Sequence, residues 1–187
     1  FIGTWSLATA ETVTHGADAD DAAWSAGGHT CPEGMLGDLL SNGNVPVAFV
    51  RTGIGGQPIS TWNSGRLRDR LFGSLRRYGG AAVLWHQGES DAATDSNVYY
   101  DALLQLITDA WAEAQVPWLV ARVTPHTMPS QTAVTDAHDY IFSGPDTHTT
   151  LQTPSYTDDN VHFTCAGLAV NAQGWYDALA AANLLPV

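Results

Sequence analysis

Four short blocks of this chain hold residue types able to activate a nucleophile and stabilise a developing negative charge. The first is Asp159-Asn160-Val161-His162. A carboxylate three residues ahead of a histidine on a tight turn can accept the imidazole Nδ1 proton, which fixes the tautomer and leaves Nε2 as a base. The spacing alone is common, and it describes equally well an Asp capping the following helix beside a surface His. The second block is Trp85-His86-Gln87-Gly88-Glu89-Ser90-Asp91, directly after an apolar run. The third runs from Gly53 to Trp62, GIGGQPISTW, and its glycines let backbone N–H groups approach a ligand closely. Such a turn can supply an oxyanion donor, whereas the phosphate-binding patterns GxxxxGK[ST] and GxGxxG are both absent. The fourth is Ser6, shortly after the apolar start Phe1-Ile2-Gly3.

These blocks need a scaffold, and apolar periodicity indicates which. Val45 to Val50 (VPVAFV), Ala81 to Trp85 (AAVLW) and Val116 to Val123 (VPWLVARV) are short apolar runs without alternation, as expected of buried parallel strands. Leu67, Leu71 and Leu75 recur every four residues among arginines and predict an amphipathic helix. Tyr99, Leu103, Leu106, Ile107, Ala110, Trp111 and Ala114 predict a second, with Asp95 or Ser96 as N-cap. A third is expected from about Cys165 to Leu185, and a shorter one has Pro32 in its first turn and ends at Asn42-Gly43. The stretches from Thr9 to Thr30 and from Pro125 to Thr157 read as long loops that shape a binding site. Helices alternating with strands imply a three-layer α/β/α sandwich around a parallel central sheet, flavodoxin-like in class, with residues 1–187 as one domain. Functional residues are then expected after the strands.

Composition narrows the partners. Seven Lys and Arg against 19 Asp and Glu give a net charge of -12, and all seven cations are Arg. A nucleic-acid binder needs a basic face to displace counterions, and an anionic membrane surface asks for the same. Neither nucleic acid nor membrane is therefore an expected partner, and no run of about 18 apolar residues is present. A soluble protein acting on a neutral or weakly charged substrate is expected. The start at Phe1 rather than Met raises a removed secretion signal as one reading and leaves localisation open. Cys31 and Cys165 are too few and too far apart for a zinc ribbon, and one disulfide or two buried thiols are equally compatible with them. His15, His29, His126, His138 and His148 stand in the two long loops without metal-ligand spacing, so no metal site is expected.

Taken together, GGQPISTW, WHQGESD and DNVH resemble, in that order, the SGNH hydrolase superfamily in its sialate O-acetylesterase-like and acetylxylan-esterase-like branch of carbohydrate esterases. WHQGESD is the specific element. The resemblance implies an acyl transfer without cofactor on an acetylated carbohydrate or other small ester. Ser6 would be the nucleophile, His162 the general base and acid, and Asp159 its orienting partner. The backbone N–H groups of Gly56 and Ser6 and the side-chain amide of Gln87 would form the oxyanion hole. The departure lies at the nucleophile, where Gly3-Thr4-Trp5-Ser6-Leu7-Ala8 stands in place of a GQSN-type block. Trp5, Trp62, His86 and Glu89 are the candidates for lining the substrate cleft, with Trp24 and Tyr156 as further aromatic platforms. Glu89 reads first as a buried acceptor for its own loop. A short-chain esterase without sugar selectivity and a carbohydrate-binding module that has lost catalysis stay open as alternatives. Because His162 must be neutral to act as base, activity should decline on acidification through a pKa of about 6.5 for an ordinary imidazole.

Overall fold

Local sequence signals set the helix ends. Asp95 caps α3 (Ser96–Ala114), its carboxylate accepting from the N–H groups of Asn97 and Val98 at 2.9 and 3.3 Å. Gln115 ends that helix in the left-handed region. Gly79, at φ 61° and ψ -136°, ends α2 (Gly65–Tyr78), its N–H reaching the Leu75 carbonyl at 2.8 Å. The computed structural model describes residues 32–41, 45–157 and 159–185. In chain order the remaining elements are α1 (Pro32–Ser41), β1 (Val83–Trp85), β2 (Trp118–Arg122), α4 (Met128–Val134), β3 (Ile141–Asp146), α5 (Thr147–Leu151) and α6 (Cys165–Ala181).

The chain divides into two compact units, one essentially Thr52–His148, the other Ile2–Arg51 with Thr149–Val187. In the first, β1, β2 and β3 form a parallel sheet in that order, with Val83 opposite Trp118 and Trp118 opposite Ile141. Trp118 to Ala121 are all buried, as expected of a parallel strand covered on both faces. The register between β2 and β3 slips after Val120, so that Arg122 meets Asp146. Pro145 lies in that interval, has no N–H for the ladder, and is tolerated at such an irregularity. Leu67, Leu71, Phe72 and Leu75 of α2 and Tyr99, Leu103, Leu106 and Ile107 of α3 supply the core on the helical side. Trp62 meets Trp85 edge-on at 5.4 Å, and Trp85 meets Trp118 at 5.5 Å, so a chain of indoles runs through that core.

In the second unit α1 packs on α6, with Leu36, Leu168, Ala172, Trp175 and Leu179 buried. Thr157 and Phe163 form an antiparallel bridge just before α6.

The α/β class with a parallel sheet is as the sequence implies, as are α1, α2, α3 and α6. Two expectations fail. Val45–Val50 forms no strand: Val50 alone makes a bridge, none of the six residues is buried, and Pro46 lacks a ladder donor. The supposed loop from Pro125 to Thr157 contains α4, β3 and α5. The sequence of β3, IFSGPD, carries Gly and Pro and lacks a strand's apolar run, yet the neighbouring β2 supplies it with a ladder. Among the described residues no helix is long and apolar enough to cross a membrane.

Candidate active site

The turn before α6 is built to hold one carboxylate against one imidazole. Thr157, buried beside its bridge partner, accepts from the N–H groups of Asp159 and Asn160 at 3.3 and 2.7 Å. Asn160 takes a left-handed conformation, φ 66°, which Asn tolerates better than most residues. The chain thereby doubles back, and Asp159 Oδ1 accepts from the N–H groups of Val161 and His162 at 2.9 and 2.7 Å. Its other oxygen, Oδ2, faces His162 Nδ1 at 2.6 Å. Because the carboxylate can only accept, Nδ1 carries the proton and Nε2 of the neutral ring is the basic nitrogen. The His162 ring and the two backbone N–H groups hold the Asp159 carboxyl well below the usual carboxylate range. Both side chains are about half exposed.

Below this turn α6 is anchored by Thr164, whose hydroxyl donates to the Ser155 carbonyl and accepts from the Gly167 N–H. A Cβ on Gly167 would lie 2.2 Å from the Tyr156 carbonyl oxygen, so only glycine lets the helix approach the segment that leads into the turn.

In the first unit, the loops after the apolar runs join in a buried polar network. Gln87 is 8% exposed. Its Nε2 donates to the Gln57 carbonyl at 3.1 Å and to Asp91 Oδ2 at 2.5 Å. A carboxylate offers no proton, so the side-chain atom facing Asp91 must be nitrogen and the amide orientation follows from chemistry. Tyr99 donates its hydroxyl proton between the Gln87 carbonyl and Oε1, at 3.0 and 3.1 Å. Burial pushes the Tyr99 phenol well above its ordinary pKa, which keeps it a donor. Gln131, fully buried, accepts from the Val123 N–H and donates to the Gln87 carbonyl at 2.8 Å. Gly56 lies exposed at φ 70° in the turn below Ile59.

His86 sits at the end of β1. The single hydroxyl proton of Thr147 goes to the Arg122 carbonyl, so Thr147 accepts from His86 Nε2 at 3.0 Å. Nδ1 then looks toward Glu89 Oε1, 3.6 Å away.

Several sequence expectations can be placed against this. Asp159 and His162 pair in the second unit, whereas Gly56, His86, Gln87 and Glu89 belong to the first. Ser6, Trp5, Trp24 and Cys31 lie outside the described residues. Trp62 is 3% exposed with its ring in the core, so it offers no face on which a sugar could stack. Glu89 is not a buried acceptor: a third of its side chain is exposed and it turns to His86. That acceptor role falls to Asp91, which takes the Ile59 N–H at 2.8 Å. Asp91 was visible as the last residue of WHQGESD. Tyr99 read only as part of a helical apolar stripe, and Gln131 lay in what looked like a loop. Among the described residues no group of His, Cys, Asp or Glu could hold a metal ion.

One unit thus carries a parallel α/β sheet with polar strand-end loops, and the other a carboxylate paired with an imidazole ahead of the last helix. No curated protein and no solved structure matches the chain. The family model of carbohydrate esterases described as sialic acid-specific acetylesterase matches residues 7–180, and the chain belongs to that family. It is accordingly a carboxylic ester hydrolase on an α/β scaffold. The matched span begins immediately after Ser6.

Proposed function

We propose that residues 1–187 form one catalytic domain that removes acetyl, or another short acyl group, from a carbohydrate through Ser6, His162 and Asp159. The observation that carries this is the 2.6 Å contact of Asp159 with His162 Nδ1, which leaves Nε2 as the base. Ser6 Oγ attacks the ester carbonyl while His162 Nε2 takes its proton. The C–O bond to the sugar then breaks and the departing oxygen takes that proton from His162. Water, deprotonated by the same ring, attacks the acyl-enzyme and frees the acid and Ser6. These steps require no metal or organic cofactor.

The tetrahedral oxyanion would be met by the N–H groups of Gly56 and Ser6 and by the Gln87 amide. Gly56 is exposed in a left-handed turn, which supports a backbone approach. Of the two Gln87 amide hydrogens, one goes to Asp91 Oδ2 and the other points along the Gln57 carbonyl at 3.1 Å, so an oxyanion would have to share that second hydrogen with the Gln57 carbonyl or displace it. His86 and Glu89, both partly exposed at the end of β1, are the described candidates for contacting the sugar.

The test is acetate release from O-acetylated sialic acid, acetylated xylan and p-nitrophenyl acetate by the wild type and by Ser6→Ala. The expected result is release by the wild type from at least one acetylated sugar, loss of at least roughly 10³-fold in the variant, and a fluorophosphonate label on Ser6. Equal rates for the two proteins would refute the nucleophile. Turnover of p-nitrophenyl acetate alone would mark an esterase without sugar selectivity, and no turnover at all a binding module.

A further inference from the structure

Asp91 is 1% exposed, and a carboxylate taken out of water is costly unless donors replace the lost solvation. Its partners are three neutral groups: the Ile59 N–H at 2.8 Å and the Gln87 amide at 2.5 Å, both on Oδ2, and the Thr94 hydroxyl at 3.0 Å on Oδ1. Capping its own short turn would require only the Thr94 contact. The other two come from elsewhere in the chain. Ile59 stands three residues after Gly56 in the glycine turn, and Gln87 stands two residues after β1. One oxygen atom therefore ties together the two loops that carry two of the proposed oxyanion donors.

We propose that Asp91 is the positioning residue of the oxyanion site, an inference that rests on the esterase reading above. Its Oδ2 takes one Gln87 amide hydrogen while Tyr99 holds Oε1 from the other side, so the amide plane is fixed and the second hydrogen keeps one direction, toward the glycine turn, where it meets the Gln57 carbonyl at 3.1 Å and where an oxyanion held by Gly56 would share it. The same oxygen fixes the Ile59 N–H and with it the turn leading back to Gly56. The role is geometric. A negative charge so near a developing oxyanion would not help it electrostatically, and Asp91 touches neither substrate nor reacting atoms.

This separates Asp91→Asn from Asp91→Ala. Asparagine can set its carbonyl oxygen where Oδ2 stood and turn its NH2 toward the Thr94 hydroxyl, which accepts instead. Alanine supplies no acceptor. The measurement is kcat and KM on p-nitrophenyl acetate, with kcat expressed per site titrated to completion by fluorophosphonate. A purely structural role would lower the titrated fraction or Tm but leave kcat per site unchanged. The alanine variant is expected to lose about 10²- to 10³-fold in kcat, the effect of losing one oxyanion donor, with KM changed less than about threefold. The asparagine variant should stay within about tenfold of wild type. Should the alanine protein not fold, Asp91→Ser serves the same purpose, because its hydroxyl is one bond too short to reach either donor. Wild-type kcat per site in the truncated variant, or equal losses in it and in Asp91→Asn, would overturn the proposal and leave the esterase reading standing. An inactive wild type would overturn both.

Discussion

Replacing Gly88 by Ala tests the network beneath Gln87 at its tightest point. Gly88 has φ 149° and ψ -13°, a conformation that side-chain-bearing residues rarely adopt. Forcing alanine into it costs on the order of 1–3 kcal/mol. The new Cβ would lie 2.6 Å from Thr127 Oγ1, 2.9 Å from Gln131 Nε2 and 3.3 Å from Thr127 Cβ. Neither neighbour can easily retreat: Thr127 is 1% and Gln131 0% exposed, and Gln131 is held at Val123 and at Gln87. Overpacking of this kind costs about 1–3 kcal/mol. Backbone strain and side-chain overlap come from different atoms, so together they amount to roughly 2–6 kcal/mol. At about 2–4 °C per kcal/mol for a protein of this size, Tm should fall by at least ~4 °C. The assay is thermal and urea unfolding followed by tryptophan fluorescence. In a Thr127→Ala background the closest atom is gone while the strain remains, so Gly88→Ala should there be less costly by about 1 kcal/mol or more. A Tm unchanged within a degree, or no coupling between the two sites, would refute the packing argument.

Gly167→Ala should be at least as damaging to the second unit, because its Cβ would meet a backbone oxygen that no rotamer change can move. Acetate release and Tm are both expected to drop, and unchanged release would mean that α6 does not set the Asp159–His162 turn. Asp159→Asn should lower kcat by up to roughly 10⁴-fold with little change in KM, since the amide no longer enforces the tautomer with Nε2 unprotonated. For stability, the Asp159 carboxyl titrates below its ordinary range when folded, so its contribution is complete above the ordinary pKa of about 3.9 and is lost as pH falls through the folded value. The Tm gap between wild type and Asp159→Asn should therefore close as pH drops below about 4. A gap that widens there would contradict the assignment. Because Asp159 stays ionised across mildly acidic pH, its own protonation does not account for any loss of activity there.

What could be read from the chain depended on whether a residue's role is local. The α2 and α3 stripes, the Asp95 cap and the Asp159–His162 spacing are written within one turn or one helix, and each was legible. β3 was not, because its six residues gain their strand geometry from β2 and not from their own side chains. Val45–Val50 erred the other way: its apolar content implied a buried strand, yet none of its six residues is buried. Trp62 shows the limit for aromatic residues, since an indole beside a glycine turn suits a sugar platform and a core anchor equally, and only burial separates them. The polar network was the least visible of all. Asp91, Tyr99 and Gln131 stand four, twelve and 44 residues from Gln87, and nothing in their own neighbourhoods marks them as its partners. Each side chain there is satisfied only once the fold has closed, so a buried amide and a buried carboxylate look alike in sequence to any surface polar residue. Chemistry that must be held rigidly is assigned to such contacts because water cannot compete for them, and that same seclusion removes any local signature.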